Sequence, residues 1–179
     1  IYTLSLHDAL PILKDLKQLK EILMRFTVSS TALSSKLNAL SRVINSKNSL
    51  PILADFLFDI QDGVLSLTAS DSENVMNTQL ELTDCDGNAR FAIGNHDLLE
   101  AVKGFSEQPI TFDVNLQDHI AKISYQNGMF SLPIEDANDY PQAQTVGDGA
   151  HVITISSNLL AENINRTLFA TAQDEFVLS

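Results

Sequence analysis

Cysteine is almost missing from this chain: Cys85 is the single one in 179 residues. That excludes an intramolecular disulfide and a cysteine-cluster zinc site, and it fits a reducing compartment. Glycine is scarce, seven in all, and none stands in a Gly-x-x-x-x-Gly-Lys phosphate loop or a Gly-x-Ser-x-Gly elbow. The four histidines, His7, His96, His119 and His151, show no metal-ligand spacing. No apolar run approaches the ~20 residues that cross a bilayer, so no membrane is implied. These absences leave no catalytic motif and no implied cofactor. Basic residues are few as well: 11 Lys and Arg against 23 Asp and Glu give a net charge of −12. Taken alone, that balance argues against nucleic acid, whose phosphates are neutralised by Lys and Arg.

The hydrophobic fraction, 44%, is ample for a core. One pattern recurs three times. Phe26-x-Val28-x-Ser30-x-x-Leu33-x-x-x-Leu37 returns as Phe91-x-Ile93-x-Asn95-x-x-Leu98-x-x-x-Val102, and again as Ile153-x-Ile155-x-Ser157-x-x-Leu160-x-x-x-Ile164, at spacings of 65 and 62 residues. Each copy reads as a short strand, a capping Ser or Asn, and a helix with apolar residues at i and i+4. The first helix is expected over Thr31–Asn45 and the second over His96–Lys103, with Gly104 just past its end. Alternating stretches at Phe56–Ile60, Val64–Ala69 and Val75–Thr83, then Ile110–Val114, His119–Tyr125 and Met129–Ile134, read as strands. Asp62-Gly63 and Gln126-Asn127-Gly128 are hairpin turns, and Asp84–Asn88 is a further turn. The fold class is therefore α+β. Each full unit is β-α-β-β-β, and a pair of units makes one domain with two helices packed on antiparallel sheet.

The expected domain plan is residues 24–142 as a first domain, 143–151 as a linker and 152–179 as the start of a second domain, cut short. Residues 1–23 match nothing in the repeat, lack the basic region of a signal peptide and read as a non-native leader. Charge is uneven along the chain. From Ile22 to Ala54 there is no acid in 33 residues, where the chain average would place about four. The same stretch carries Arg25, Lys36, Arg42 and Lys47. Its plain reading is a helix made soluble by Ser and Asn. Asp71, Glu73, Asp84 and Asp86 are the densest carboxylate group. Asp84-x-Asp86-Gly87-Asn88 loosely suggests a calcium loop but lacks its closing Glu, and turn chemistry explains it better.

Met24-Arg25-Phe26-Thr27-Val28, Ser49-Leu50-Pro51-Ile52-Leu53, Asp62-Gly63-Val64-Leu65-Ser66-Leu67 through Asp71, and Phe130-Ser131-Leu132 with Asp139-Tyr140-Pro141 resemble the bacterial DNA polymerase III beta subunit family, the sliding clamps. The resemblance implies a clamp fold, in which domains of paired β-α-β-β-β units form a ring around DNA, two protomers closing it. It implies a processivity factor rather than an enzyme, working in the cytoplasm on double-stranded DNA without reading sequence, with helices lining the hole and acid outside. Lys47 and Gln173 align with DNA-contacting residues of the family. Arg25, Lys36, Arg42, Lys103 and Arg166 are assigned to the hole by helix phase or charge. Phe130 and Leu132 align with the edge strand that pairs with a partner protomer. The family's pocket for the replicative polymerase and clamp loader falls in a part that this chain lacks. Two other readings compete: a non-catalytic α+β protein-interaction module without DNA binding, and a metal-dependent hydrolase built on the Asp71, Glu73, Asp84 and Asp86 group.

Overall fold

A computed structural model describes residues 23–44, 50–141, 149, 151 and 153–171. The chain divides into two compact units, residues 1–143 and 144–179. Among the described residues no helix is long and apolar enough to cross a membrane.

In the first unit, β1 (Leu23–Ser29) leads straight into α1 (Ser30–Leu40). A 3-10 turn at Pro51–Ala54 precedes β2 (Asp55–Gln61), β3 (Val64–Ser70), β4 (Val75–Glu81) and the short β5 (Asp84–Cys85). The second half repeats the plan: β6 (Ala89–Gly94), α2 (Asn95–Val102), β7 (Pro109–Asn115), β8 (Ile120–Tyr125) and β9 (Gly128–Asp136). The strands join in the order β4-β3-β2-β6-β9-β8-β7-β1-β5, and every pair is antiparallel. The order shows how the two halves interlock. β1, the first strand of one half, pairs with β7 of the other, and β6 pairs in return with β2. Neither half has a complete sheet without its twin.

One core holds both halves together. Phe26 stacks on Phe112 across the β1–β7 ladder at 4.7 Å, and Phe58 on Phe91 across the β2–β6 ladder at 5.2 Å. Phe58 and Phe112 meet at 6.2 Å and join the two pairs. Leu33, Leu37 and Leu40 lie on one stripe of α1, and Leu98 and Val102 on one stripe of α2; all are buried in this core. Each such side chain contributes about 1.5–3 kcal/mol by leaving water. The Asp62-Gly63 turn has positive φ at both residues, 51° and 78°, which suits the twist of a two-residue hairpin.

Three expectations need correction. The repeated Ser30, Asn95 and Ser157 are not the helix caps; each is the first residue inside its helix. In α1 the cap is Ser29, whose Oγ accepts from the Ala32 N–H at 3.2 Å. Ser30 and Asn95 do other work. Ser30 Oγ donates to Ser106 O at 2.8 Å and accepts from Gln108 N–H at 3.1 Å, just before β7. Asn95 Nδ2 donates to Ala54 O at 2.6 Å, just before β2. Each thus ties its own strand–helix junction to the start of the strand that its twin lends. Second, α1 stops at Leu40, with Ser41–Val43 in a turn, short of the expected Asn45, which lies outside the described residues. Third, Ile153–Ile155 form no strand, although α3 (Ser157–Thr167) follows as expected. A strand needs a partner ladder, and β1 and β6 take theirs from the opposite half. The Asp84–Asn88 turn also contains β5, a brief pairing of Asp84 and Cys85 with β1.

Candidate nucleic-acid interface and open sheet edge

Of the described Lys and Arg that make no ion pair, two lie on the helix side, and Lys122 stands exposed on the outer side of β8, between inward Ala121 and Ile123. Lys36 flanks the buried stripe of α1 and is half-buried; Arg42 is exposed in the turn after it. Among the described residues neither makes an ion pair, whereas Arg25, Arg90, Lys103 and Arg166 each do. Thr31, Ser35 and Asn38 complete the exposed side of α1. One acid reaches this helix from elsewhere. Glu107, in the loop before β7, accepts from Ser29 Oγ at 2.8 Å and from Thr31 Oγ1. A carboxylate at a helix N-terminus is favourable against the helix dipole. The local sequence gives no sign of it because the other half supplies it.

α2 differs from α1. His96, Asp97, Glu100 and Lys103 are all exposed, and Lys103 Nζ lies 3.3 Å from Glu100. Arg25 stands apart from the helix layer. Met24, Phe26 and Val28 point into the core, so Arg25 points to the outer face of the sheet. There its Nε donates to Asp113 at 2.5 Å, and Asp86 accepts its backbone N–H at 2.7 Å. The Asp113 hydrogen bond raises the guanidinium pKa further, so this charge is fixed and already paired. Arg166 lies on α3 in the other unit, 2.6 Å from Glu162. Lys47 and Gln173 lie outside the described residues.

Phe130 and Leu132 lie on β9, half-buried and packed against the core. Residues Gly128–Pro133 pair with β8, and only Ile134–Asp136 pair with β6. Among the described residues, the stretch that holds Phe130 and Leu132 therefore has one open edge.

The carboxylates do not converge. Among the described residues no group of three or more His, Cys, Asp or Glu is arranged to hold a metal ion. Asp71 Oδ1 accepts from the Glu73 and Asn74 N–H groups at 3.1 and 2.7 Å, closing the β3–β4 loop; these bonds, Asn74's first, lower its pKa. Asp86 serves Arg25. The metal-hydrolase reading loses its site.

One cluster was not read from the sequence. On the outer face of the sheet, Ile52, Leu53, Leu57, Ala92, Ala137 and Tyr140 form a second, small core. It unites the Ser-Leu-Pro-Ile-Leu and Asp-Tyr-Pro segments. Asp55 sits at its margin, where burial, and secondarily the charge of Glu135, pushes its pKa up to about 6. The Tyr140 hydroxyl lies near the Ser70 backbone but makes no hydrogen bond there, and burial pushes its pKa up to about 12. The available signal was that Leu57 and Ala92, at outward positions of their strands, are apolar.

Residues 24–144 match the profile of the DNA polymerase III beta subunit, N-terminal domain. The chain is 26% identical over 152 residues to the beta sliding clamps of Buchnera aphidicola subsp. Rhopalosiphum padi and of Pseudomonas aeruginosa, covering 85% of this chain and 41% of each relative. Among solved structures, the Pseudomonas aeruginosa DnaN sliding clamp superposes with a TM-score of 0.77 at 26% identity, over 86% of this chain and 41% of that one. The DNA polymerase III beta subunit of Thermotoga maritima gives 0.74, also at 26% identity. The chain thus spans about two fifths of the length of the relatives that it matches.

Proposed function

The chain belongs to the DNA polymerase III beta subunit family, of which it carries the N-terminal domain, and from that premise we propose that its parent protein is the sliding clamp of bacterial replication. In that role it encircles duplex DNA in the cytoplasm as a homodimeric ring and tethers the replicative polymerase. It performs no catalysis itself. A pocket outside this chain receives the polymerase and the clamp loader. Residues 24–142 are the first ring domain, and 152–179 open the second.

The observation that carries the reading is the contrast between the two surfaces of the first unit. On the helix side, Lys36 and Arg42 are unpaired among the described residues and α1 contributes no acid. On the sheet's outer side Asp113 neutralises Arg25, Asp59 pairs with Arg90 at 3.7 Å, and the one unpaired cation among the described residues, Lys122, stands opposite Asp113 on the neighbouring strand. A duplex attracted without base readout goes to the side where unpaired cations stand on a helix that has no acid of its own, rather than to Lys122 beside Asp113, since phosphate contact alone gives sequence-independent binding. Lys36, Arg42 and Lys47 are the proposed contacts of the first domain, with Lys103 entering once Glu100 releases it. Arg166 and Gln173 are assigned to the second domain. Arg25 has the weakest claim, because its charge is already used. Phe130 and Leu132 are proposed to form the contact between protomers.

The test uses the full-length parent. Reversing Lys36 and Arg42 to Glu should lower its affinity for DNA of any sequence alike. It should also reduce the slope of log K against log salt by about 2, roughly one unit for each phosphate that is no longer neutralised. An unchanged slope would remove the helix surface from the DNA path.

A further inference from the structure

α1 has no acid in its first turn, whereas α2 has Asp97 in its own. Glu107 fills that role for α1 from the other half of the domain. Its exposed carboxylate accepts from Ser29 Oγ at 2.8 Å and from Thr31 Oγ1. Behind it, amides of the first turn are already engaged. The Ser30 N–H donates to Gln108 O at 2.9 Å, and the Ala32 N–H to Ser29 Oγ at 3.2 Å. A helix N-terminus otherwise attracts phosphate, through its N–H groups and the positive end of its dipole. Here a carboxylate of the chain itself stands where a phosphate would go.

Charge is therefore graded along the exposed stripe of α1. Thr31, Ser35, Asn38 and Arg42 follow one another at i, i+4, i+7 and i+11, all exposed. At 1.5 Å per residue, about 16 Å separate the acid held at Thr31 from the cation at Arg42. That is roughly twice the Debye length at physiological salt, about 8 Å, so the two ends act on a phosphate separately. A phosphate near Arg42 is attracted with little opposition. A phosphate near Thr31 meets Glu107.

We infer that Glu107 is a built-in brake on DNA contact. It denies the N-terminus of α1 to phosphate, confines the duplex to the part of the helix that carries Lys36 and Arg42, and keeps the contact weak. The inference rests on the clamp reading, in which this face lines the hole. A closed ring keeps its DNA by topology. A stronger grip on phosphate adds nothing to that retention, and it slows sliding because each contact must be released before the ring can advance.

The full-length parent carries the test, with Glu107→Gln and Glu107→Lys. Glutamine keeps an acceptor for Ser29 and Thr31 and removes only the charge. Glu107→Gln should bind linear duplex about two- to fivefold more tightly at low salt. Glu107→Lys should bind more tightly still, and should steepen the slope of log K against log salt by about one unit for each phosphate newly neutralised. On nicked circles both variants should slide more slowly than the wild type, read by single-molecule tracking. Asp62→Asn removes the same charge from the β2–β3 turn, where positive φ suits Asn, and should change affinity less. Unchanged affinity in the Glu107 variants, sliding as fast as the wild type, or an equal gain from Asp62→Asn would each overturn the proposal. Failure of the clamp reading shows separately, as a wild-type parent that the nicked circle does not retain.

Discussion

Asp55 makes the outer cluster sensitive to pH. Its carboxyl is half-buried at the start of β2, near Glu135, and its pKa rises to about 6, against about 3.9 in an unfolded chain. A raised acid favours the protonated native state. Its contribution to stability is complete below about pH 4 and is lost as pH climbs through 6. Two pKa units correspond to roughly 3 kcal/mol. Asp55 keeps part of its hydration, which reduces the effect to about 1–2 kcal/mol. Asp55→Asn preserves the shape and removes the charge. At pH 8 the variant should be more stable than the wild type by about 1–2 kcal/mol, and at pH 4 the two should be nearly equal. Urea unfolding of both chains at pH 4, 6 and 8 measures this as a shift of midpoint at constant slope. An offset that does not change with pH, or a less stable variant at pH 8, would refute the burial argument.

Other consequences follow from single contacts. Tyr140→Phe removes a buried hydroxyl that has no hydrogen-bond partner; unfolding should find the variant as stable as the wild type or up to about 1 kcal/mol more so. Ser30→Ala leaves the Gln108 N–H without its acceptor in a site where Ser30 is 1% exposed, and should cost about 1–3 kcal/mol. Leu37→Ala opens a cavity in the core under α1 and should cost about 2–5 kcal/mol, read by the same denaturation.

The repeat was legible because the sequence writes it twice in full, once for each half. What it concealed is exchange between the halves. Ser30 and Asn95 look like caps at a strand–helix junction, and only the β1–β7 and β6–β2 pairings reveal that they bridge to a borrowed strand. Glu107 is remote in sequence from α1 and reaches its N-terminus through the same pairing. The Ile153–Ile155 copy shows the converse: the local pattern is present, but a strand is not a local structure. Charge counting grouped Arg25 with Lys36 and Arg42, whereas the alternation of β1, with Met24 and Phe26 inward, sends Arg25 to the opposite face. The outer cluster escaped notice because its members come from the loop before β2, from β2 and β6, and from the residues after β9.

A clamp holds DNA by encircling it, without a tight grip on any one stretch of duplex. The most direct measurement loads the full-length parent onto nicked circular DNA, cuts the circle once, and follows retention by gel filtration. The parent dimer should stay on the circle and leave when the ends are freed. Equal retention on circular and linear DNA, or no retention on the circle, would contradict it.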